Sequence, residues 1–242
     1  MLKEFIEHIQ KTAQPKTEIV EGRIFALFHD GVQEINPEPY RPELLEVHSL
    51  DALVQLIANE ASEFAQTIFV SVPDHMTVSC FTKPDPDDRC FRQVFYKAIA
   101  TDVPGWGEKV QMGFEEMQIA LRTRFQETPD TPYVQKLLSD ISTGAKITYN
   151  DNGVATTIVT SKGVALQGSE TIRPIVTLKP YRTFQEVDQP DSTFLIRVSE
   201  RGISFAEADG GMWKLQARRN NKAFIEAQIA QQNLKNKIIV TL

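Results

Sequence analysis

The sequence predicts an α+β fold: a mixed α/β amino-terminal half, then a mostly antiparallel β half with a late helix. Three observations predict it. Apolar residues at helical spacing recur only before residue 144 and again near 220–232. Short runs rich in Val, Ile and Thr crowd the stretch from 145 to 217, separated by turn residues. Helices and strands do not alternate regularly, so a βαβ layout is disfavoured. The expected regions are 1–143 and 144–242, with packing as one unit left open.

Leu2, Phe5, Ile6 and Ile9 predict a short amphipathic helix over 2–13, ended by Pro15. EIVEGRIFALF (18–28) reads as extended, with Gly22 as a turn or bulge. The prolines at 37, 39 and 42 make 29–43 a loop. Leu44–Val47 is a short strand. Ser49 caps a helix over 50–64, with Asp51 in its first turn. Runs 67–72 and 77–82 around Pro73-Asp74-His75-Met76 predict a hairpin. KPDPDDRC (83–90) is a loop or flap, and Phe91–Ala100 reads as a helix. Phe114, Met117, Leu121 and Phe125 mark one helix face. Thr131 caps the next helix, with Pro132 at its first position and Gly144 as its stop.

Beyond 144 the β runs are 145–149 and 154–160 around Asn150-Asp151-Asn152-Gly153, then 164–166, 175–178, 183–187, 194–198 and 203–206. Asp209-Gly210-Gly211 predicts a hairpin turn, with Trp213–Ala217 as its return strand. Asn220 caps a helix to about Gln232, and KIIVTL (237–242) is a final strand.

Composition narrows the function. With 32 acidic and 26 basic residues, the net charge is −6. That disfavours a sequence-independent coat for nucleic acid, which needs surplus Lys and Arg. Two cysteines, Cys80 and Cys90, make no disulfide framework, so a reduced, cytoplasmic setting is expected. Charges at Lys3, Glu4 and Glu7 break the apolar run of a signal peptide, and no membrane association is expected. Phosphate-binding glycine loops, the nucleophile elbow and zinc spacings are missing. The reading leans away from an enzyme and expects no cofactor.

Two stretches hold the binding candidates. TLKPYRTFQEVDQP (177–190) brings Lys179, Tyr181, Arg182 and Phe184 together on what reads as a strand. Such alternation can stack bases and hold phosphates, or form cross-strand ion pairs. AEADGGMWKLQARRN (206–220) ends in Arg218 and Arg219, followed by Lys222. At a helix start these cations oppose the dipole, a placement that an anionic partner would relieve. On a strand rising ~3.3 Å per residue, Arg218 would lie too far along from Asp209 to share one site. Asp85, Asp87, Asp88, Glu207 and Asp209 are the weaker metal candidates. Asp74-His75 and His29-Asp30 read as turns.

Pro180-Tyr181-Arg182-Thr183-Phe184, Glu186, Gln189-Pro190, Phe194, Arg197, Ala208-Asp209-Gly210-Gly211 and Trp213-Lys214 carry a resemblance. In these words the chain resembles a family of phage and prophage proteins and, more distantly, the YfdQ-like prophage proteins of unknown function. The resemblance implies a phage setting in the host cytoplasm and supplies no catalytic residues. The leading expectation is a non-enzymatic phage accessory protein, a homo-oligomer that binds a host protein or a small anionic ligand. The alternatives are single-stranded nucleic-acid handling in replication or recombination, and a metal-dependent phosphodiesterase or nuclease.

Overall fold

The computed structural model describes residues 2–4, 6, 16–20, 23–28, 31–35, 43–63, 66–86, 90–143, 146–151, 156–162, 165–199 and 202–242. Two compact units divide the chain, Met1–Pro42 and Glu43–Leu242. The α+β class holds: helices pack on mostly antiparallel sheets, and the longest helix comes late.

In the first unit, Leu2–Glu4 and Ile6 are helical. Strands β1 (Lys16–Val20), β2 (Arg23–Phe28) and β3 (Gly31–Glu34) form an antiparallel sheet. β3 falls inside the stretch expected to be loop. Its pairing of Phe25 with Glu34 and Phe28 with Gly31 supplies the order that its own sequence lacks. Gly22 lies outside the described residues.

The second unit contains two hydrophobic cores. One lies under a five-stranded sheet ordered β8-β15-β14-β13-β9. Its strands are β8 (Lys109–Met112), β9 (Phe125–Gln126), β13 (Ile175–Pro180), β14 (Ser192–Ser199) and β15 (Gly202–Glu207). Met117, Ala120 and Leu121, from a helix over Phe114–Thr123, pack into this core, as do Val134, Leu137, Leu138 and Ile141 from one over Thr131–Thr143. The sheet draws strands from both sides of residue 144, so the change in sequence character there does not separate two sheets. Gly202 sits at φ +119, and a Cβ there would meet the Met112 carbonyl oxygen at 2.1 Å, so the β8–β15 crossing requires glycine. Phe125, expected on the helix face, is instead in β9. Thr131 does not cap its helix. The Asp130 carbonyl takes the first helical bond, from Val134, and the Thr131 hydroxyl accepts from Thr128 N–H at 2.9 Å. β10 (Lys146–Asp151), β11 (Thr156–Lys162) and β12 (Ala165–Thr171) make a separate antiparallel meander.

The other core is built on the sheet β16-β5-β6-β7-β4. Its strands are β4 (Leu45–Val47), β5 (Ile68–Ser71), β6 (Thr77–Thr82), β7 (Val94–Ile99) and β16 (Ile238–Thr241). Both edge strands run parallel to their neighbours, while the centre is antiparallel. Helices α1 (Leu50–Glu60) and α4 (Met212–Gln231) supply its helical side, numbering 114–123 as α2 and 131–143 as α3. Ser49 caps α1 as expected, its hydroxyl accepting from Ala52 N–H at 3.1 Å.

Three further elements differ from expectation. Phe91–Ala100 contains strand β7, not a helix. A bulge at Cys80/Phe81 shifts its register, burying both Phe95 and Tyr96 and hiding the two-residue period. Thr183–Val187 is a loop, because the sheet neighbours of β13 are already β14 and β9. Trp213–Ala217 is the start of α4, not a hairpin strand. β15 is flanked by β14 and β8, so no edge was open for a returning strand.

Candidate functional site

The loop 181–191 leaves β13 and folds on itself around one side chain. Gln189 is fully buried. Its Oε1 accepts from the backbone N–H of Arg182 (2.9 Å) and Thr183 (3.2 Å), and its Nε2 donates to the carbonyls of Phe184 (2.9 Å) and Val187 (3.3 Å). One amide therefore satisfies four backbone groups that no ladder serves. Glu186 accepts from Leu50 N–H at 2.8 Å, at the start of α1. Phe184 and Val187 insert into the core of the β5 sheet.

This clasp holds Arg182 in place. Its side chain is 2% exposed and its Nη1 lies 2.7 Å from Glu207 Oε1, while Glu207 is 11% exposed. The contact is a close ion pair in which Glu207 Oε1 lacks hydrogen-bond geometry. The guanidinium carbon sits 4.5 Å from the Trp213 ring centre and 5.3 Å from that of Phe194. Arg182 Nε and Nη2 are buried without a hydrogen-bond partner among the described residues. Burial pulls the guanidinium pKa down, opposed by Glu207 and then Asp209.

Asp209 shapes the entry to α4. Its Oδ1 accepts from Gly211 N–H at 2.9 Å, and Gly210 and Gly211 take positive φ values of 63° and 78°. Its Oδ2 is buried and unpartnered among the described residues. The chain then enters the helix, and Trp213 Nε1 donates to Glu207 Oε2 at 3.3 Å. His75 meets Trp213 edge-on, with ring centres 4.8 Å apart. Burial depresses the His75 pKa. Asp74 opposes this, while Lys214 and Arg182 add to it. Thr183 Oγ1 and Asn221 Nδ2 both donate to the His75 carbonyl, tying the β5–β6 turn to the loop and the helix.

Arg182, Glu207 and Asp209 thus converge, joined by Phe194, Trp213 and His75. The other candidates do not join them. Lys179 donates to Asp188 at 2.9 Å, a hydrogen bond that raises its pKa. Tyr181 is half-buried and Phe184 is core. Arg218 Nε donates to the Val72 carbonyl at 2.9 Å. Arg219 is exposed, and Lys222 lies 3.7 Å from Glu226 on the same helix. All three basic residues sit in the body of α4 and not at its start, so the expected conflict with the dipole does not arise. The separation also shrinks: with a rise of 1.5 Å per residue in place of that of a strand, Arg218 lies about 9 Å along α4 from its first residue, Met212. Compared with family models, curated proteins and solved structures, the chain matches none.

Among the metal candidates, Asp87 and Asp88 lie outside the described residues, and Asp85 makes a backbone bridge with Phe91. No group of three potential ligands is placed to hold a metal among the described residues. Gln189, Asn221 and His75 were not legible as part of this cluster. The Asp74-His75 turn was: Asp74 Oδ1 accepts from Met76 N–H at 2.7 Å.

Proposed function

We propose that the chain is a non-enzymatic binding protein, a phage accessory protein, whose Arg182 cluster receives a small polar ligand. One observation carries the site. Arg182 has two buried donor nitrogens, and Asp209 one buried acceptor oxygen, without partners among the described residues. An unsatisfied buried polar group costs about 1–3 kcal/mol. A ligand with an anionic oxygen and an adjacent N–H or O–H would satisfy both sets. Arg182 and Lys214 offset Glu207 and Asp209 in charge, which favours such a mixed ligand over a bare anion. Around the cluster, His75 and Gly211 are half-buried, and Gly210 and Lys214 are exposed. The phage setting rests on the sequence resemblance.

Thermal shift and native mass spectrometry test this with inorganic phosphate, an amino-acid zwitterion and a nucleoside monophosphate. The expected result is stabilisation by a donor-bearing ligand exceeding that by phosphate, and its loss in Asp209→Asn. No stabilisation and no retained mass would overturn the site. Turnover abolished by one point substitution would overturn the non-enzymatic reading.

A second reading has its own observation. On the sheet face opposite α1 and α4, Phe69 and Phe81 stack at 5.7 Å, with Arg92 within 6 Å of both rings. Such a row suits the bases of a single strand, although the net charge of −6 opposes it. Oligonucleotide anisotropy at low salt, with Phe69→Ala and Phe81→Ala, decides it; absence of binding removes the reading.

A further inference from the structure

We infer that two copies of this chain associate about a two-fold axis by pairing β16 with β16, extending the five-stranded sheet to ten strands. The inference is independent of the Arg182 site. β16 (IIVT) is an edge strand, and its outer flank has no neighbouring strand among the described residues. Natural edges are blunted by short length, proline, charged side chains or bulges. β16 is short, at four residues, but those four carry no proline, charge or bulge, and Ile239 is 45% exposed.

The ladder sets which backbone groups are free. The carbonyls of Lys237 and Thr241 accept from Ile68 and Val72 N–H. In a parallel pair, alternate residues bond to opposite sides. Residues 237, 239 and 241 therefore face β5, and Val240 offers its N–H and C=O outward. Ile238 N–H is spent on the Leu234 carbonyl, which leaves its C=O for the edge. An antiparallel copy centred on Val240 would exchange both Val240 bonds with its mate. It would also let each Leu242 N–H meet the other copy's Ile238 carbonyl.

The adjoining surface says why the occupant is a second copy. An open groove of about 480 Å³ runs between α4 and β16, lined by Ala227, Ile229, Ala230, Ile238 and Val240, with Glu226 and Lys235 at its charged positions. One acid and one base on the same groove are self-complementary: a two-fold axis can satisfy the pair twice. The alanines keep that side of α4 low enough for a second helix to approach. Glu226 pairs with Lys222 at 3.7 Å on the same helix, but it is about half exposed, and so solvated a pair is weak enough for a partner's lysine to compete for the carboxylate.

Light scattering on the full chain at tens of micromolar tests the inference, with amide exchange at Val240. The expected mass is twice 27.3 kDa. Glu226→Lys and Lys235→Glu should each weaken the dimer at least about tenfold, and the double exchange should restore it. Val240→Pro, which removes the outward donor, should give single chains that keep the wild-type circular dichroism. A single-chain mass for the wild type overturns the inference. So does a dimer unaffected by Val240→Pro, or a double exchange that fails to rescue. Slow exchange at Val240 in a single chain would mean that another segment of the same molecule covers the edge, and that too overturns it.

Discussion

Neutralising Glu207 should be among the most damaging single changes in this chain. Arg182 and Glu207 are 2% and 11% exposed and 2.7 Å apart, so solvent screens neither. Glu207→Gln keeps the volume and the acceptor for Trp213 Nε1, but leaves the guanidinium with Asp209 as its nearest remaining counter-charge. Removing one partner of a buried pair costs about 3–5 kcal/mol. With a urea slope of ~2.5 kcal/mol per molar, the midpoint falls by about 1.2–2 M. Arg182→Met should cost a similar amount, because it strands the Glu207 charge. The double variant removes both charges and leaves Met between Phe194 and Trp213, so its cost should fall short of the sum by at least ~2 kcal/mol. Urea titration of the four proteins measures that coupling. Additivity within about 0.5 kcal/mol would refute the reasoning, since it would mean that Arg182 is compensated elsewhere.

Three further outcomes follow from the same geometry. Gly202→Ala should cost at least about 2 kcal/mol in urea, because its Cβ would overlap the Met112 carbonyl at a positive φ; a midpoint within error of wild type contradicts this. His75 has a folded pKa below the 6.5 of an exposed imidazole, chiefly through burial. The unfolded chain therefore takes up a proton first as pH falls. Stability from this group is full above pH 6.5 and declines below it until the folded pKa is passed. Urea midpoints from pH 7.5 downward should fall less steeply in His75→Gln, and Lys214→Ala should raise the His75 pKa seen by NMR. Finally, Cys90 is exposed and Cys80 is buried with its thiol pKa pushed up, so a thiol reagent should modify one equivalent quickly and the second only on unfolding.

Local signals read well where one residue decides the outcome. Ser49 with Asp51 marked the start of α1, and Asp74-His75 marked the β5–β6 turn. Strands β13, β14, β15 and β16 were each legible too, although 183–187 and 213–217 read as further strands between them and are not. The sequence misled where tertiary partners decide. In α4 the buried stripe is Trp213, Ala217, Asn221, Ile225 and Ile229. Asn221 interrupts it with a polar group whose partners, Thr183 and the His75 carbonyl, are remote in sequence. Asp-Gly-Gly then reads as a hairpin turn, when it is a left-handed entry into a helix. In the loop 181–191 the alternation of charge and aromatic imitates a strand, yet Gln189 replaces the ladder. Arg182, Glu207 and Asp209 were each singled out, but with Arg182 among the anion candidates and the carboxylates among the metal candidates. Their meeting depends on that loop and on the turn into α4, neither of which was read correctly.

The parallel pairing of β16 with β5 also governs the order of assembly. Lys237 Nζ donates to the Ala61 carbonyl across 176 residues of chain, and Ile238 completes the core begun by Leu50 and Ile68. A nascent chain that has made α1, β5, β6 and β7 still presents an open flank until residue 241 leaves the ribosome. Closing so long a loop is slow, and the apolar flank stays exposed to other nascent chains meanwhile. Synthesis rate and chaperone supply should therefore affect the yield of this protein in a cell, alongside its final stability.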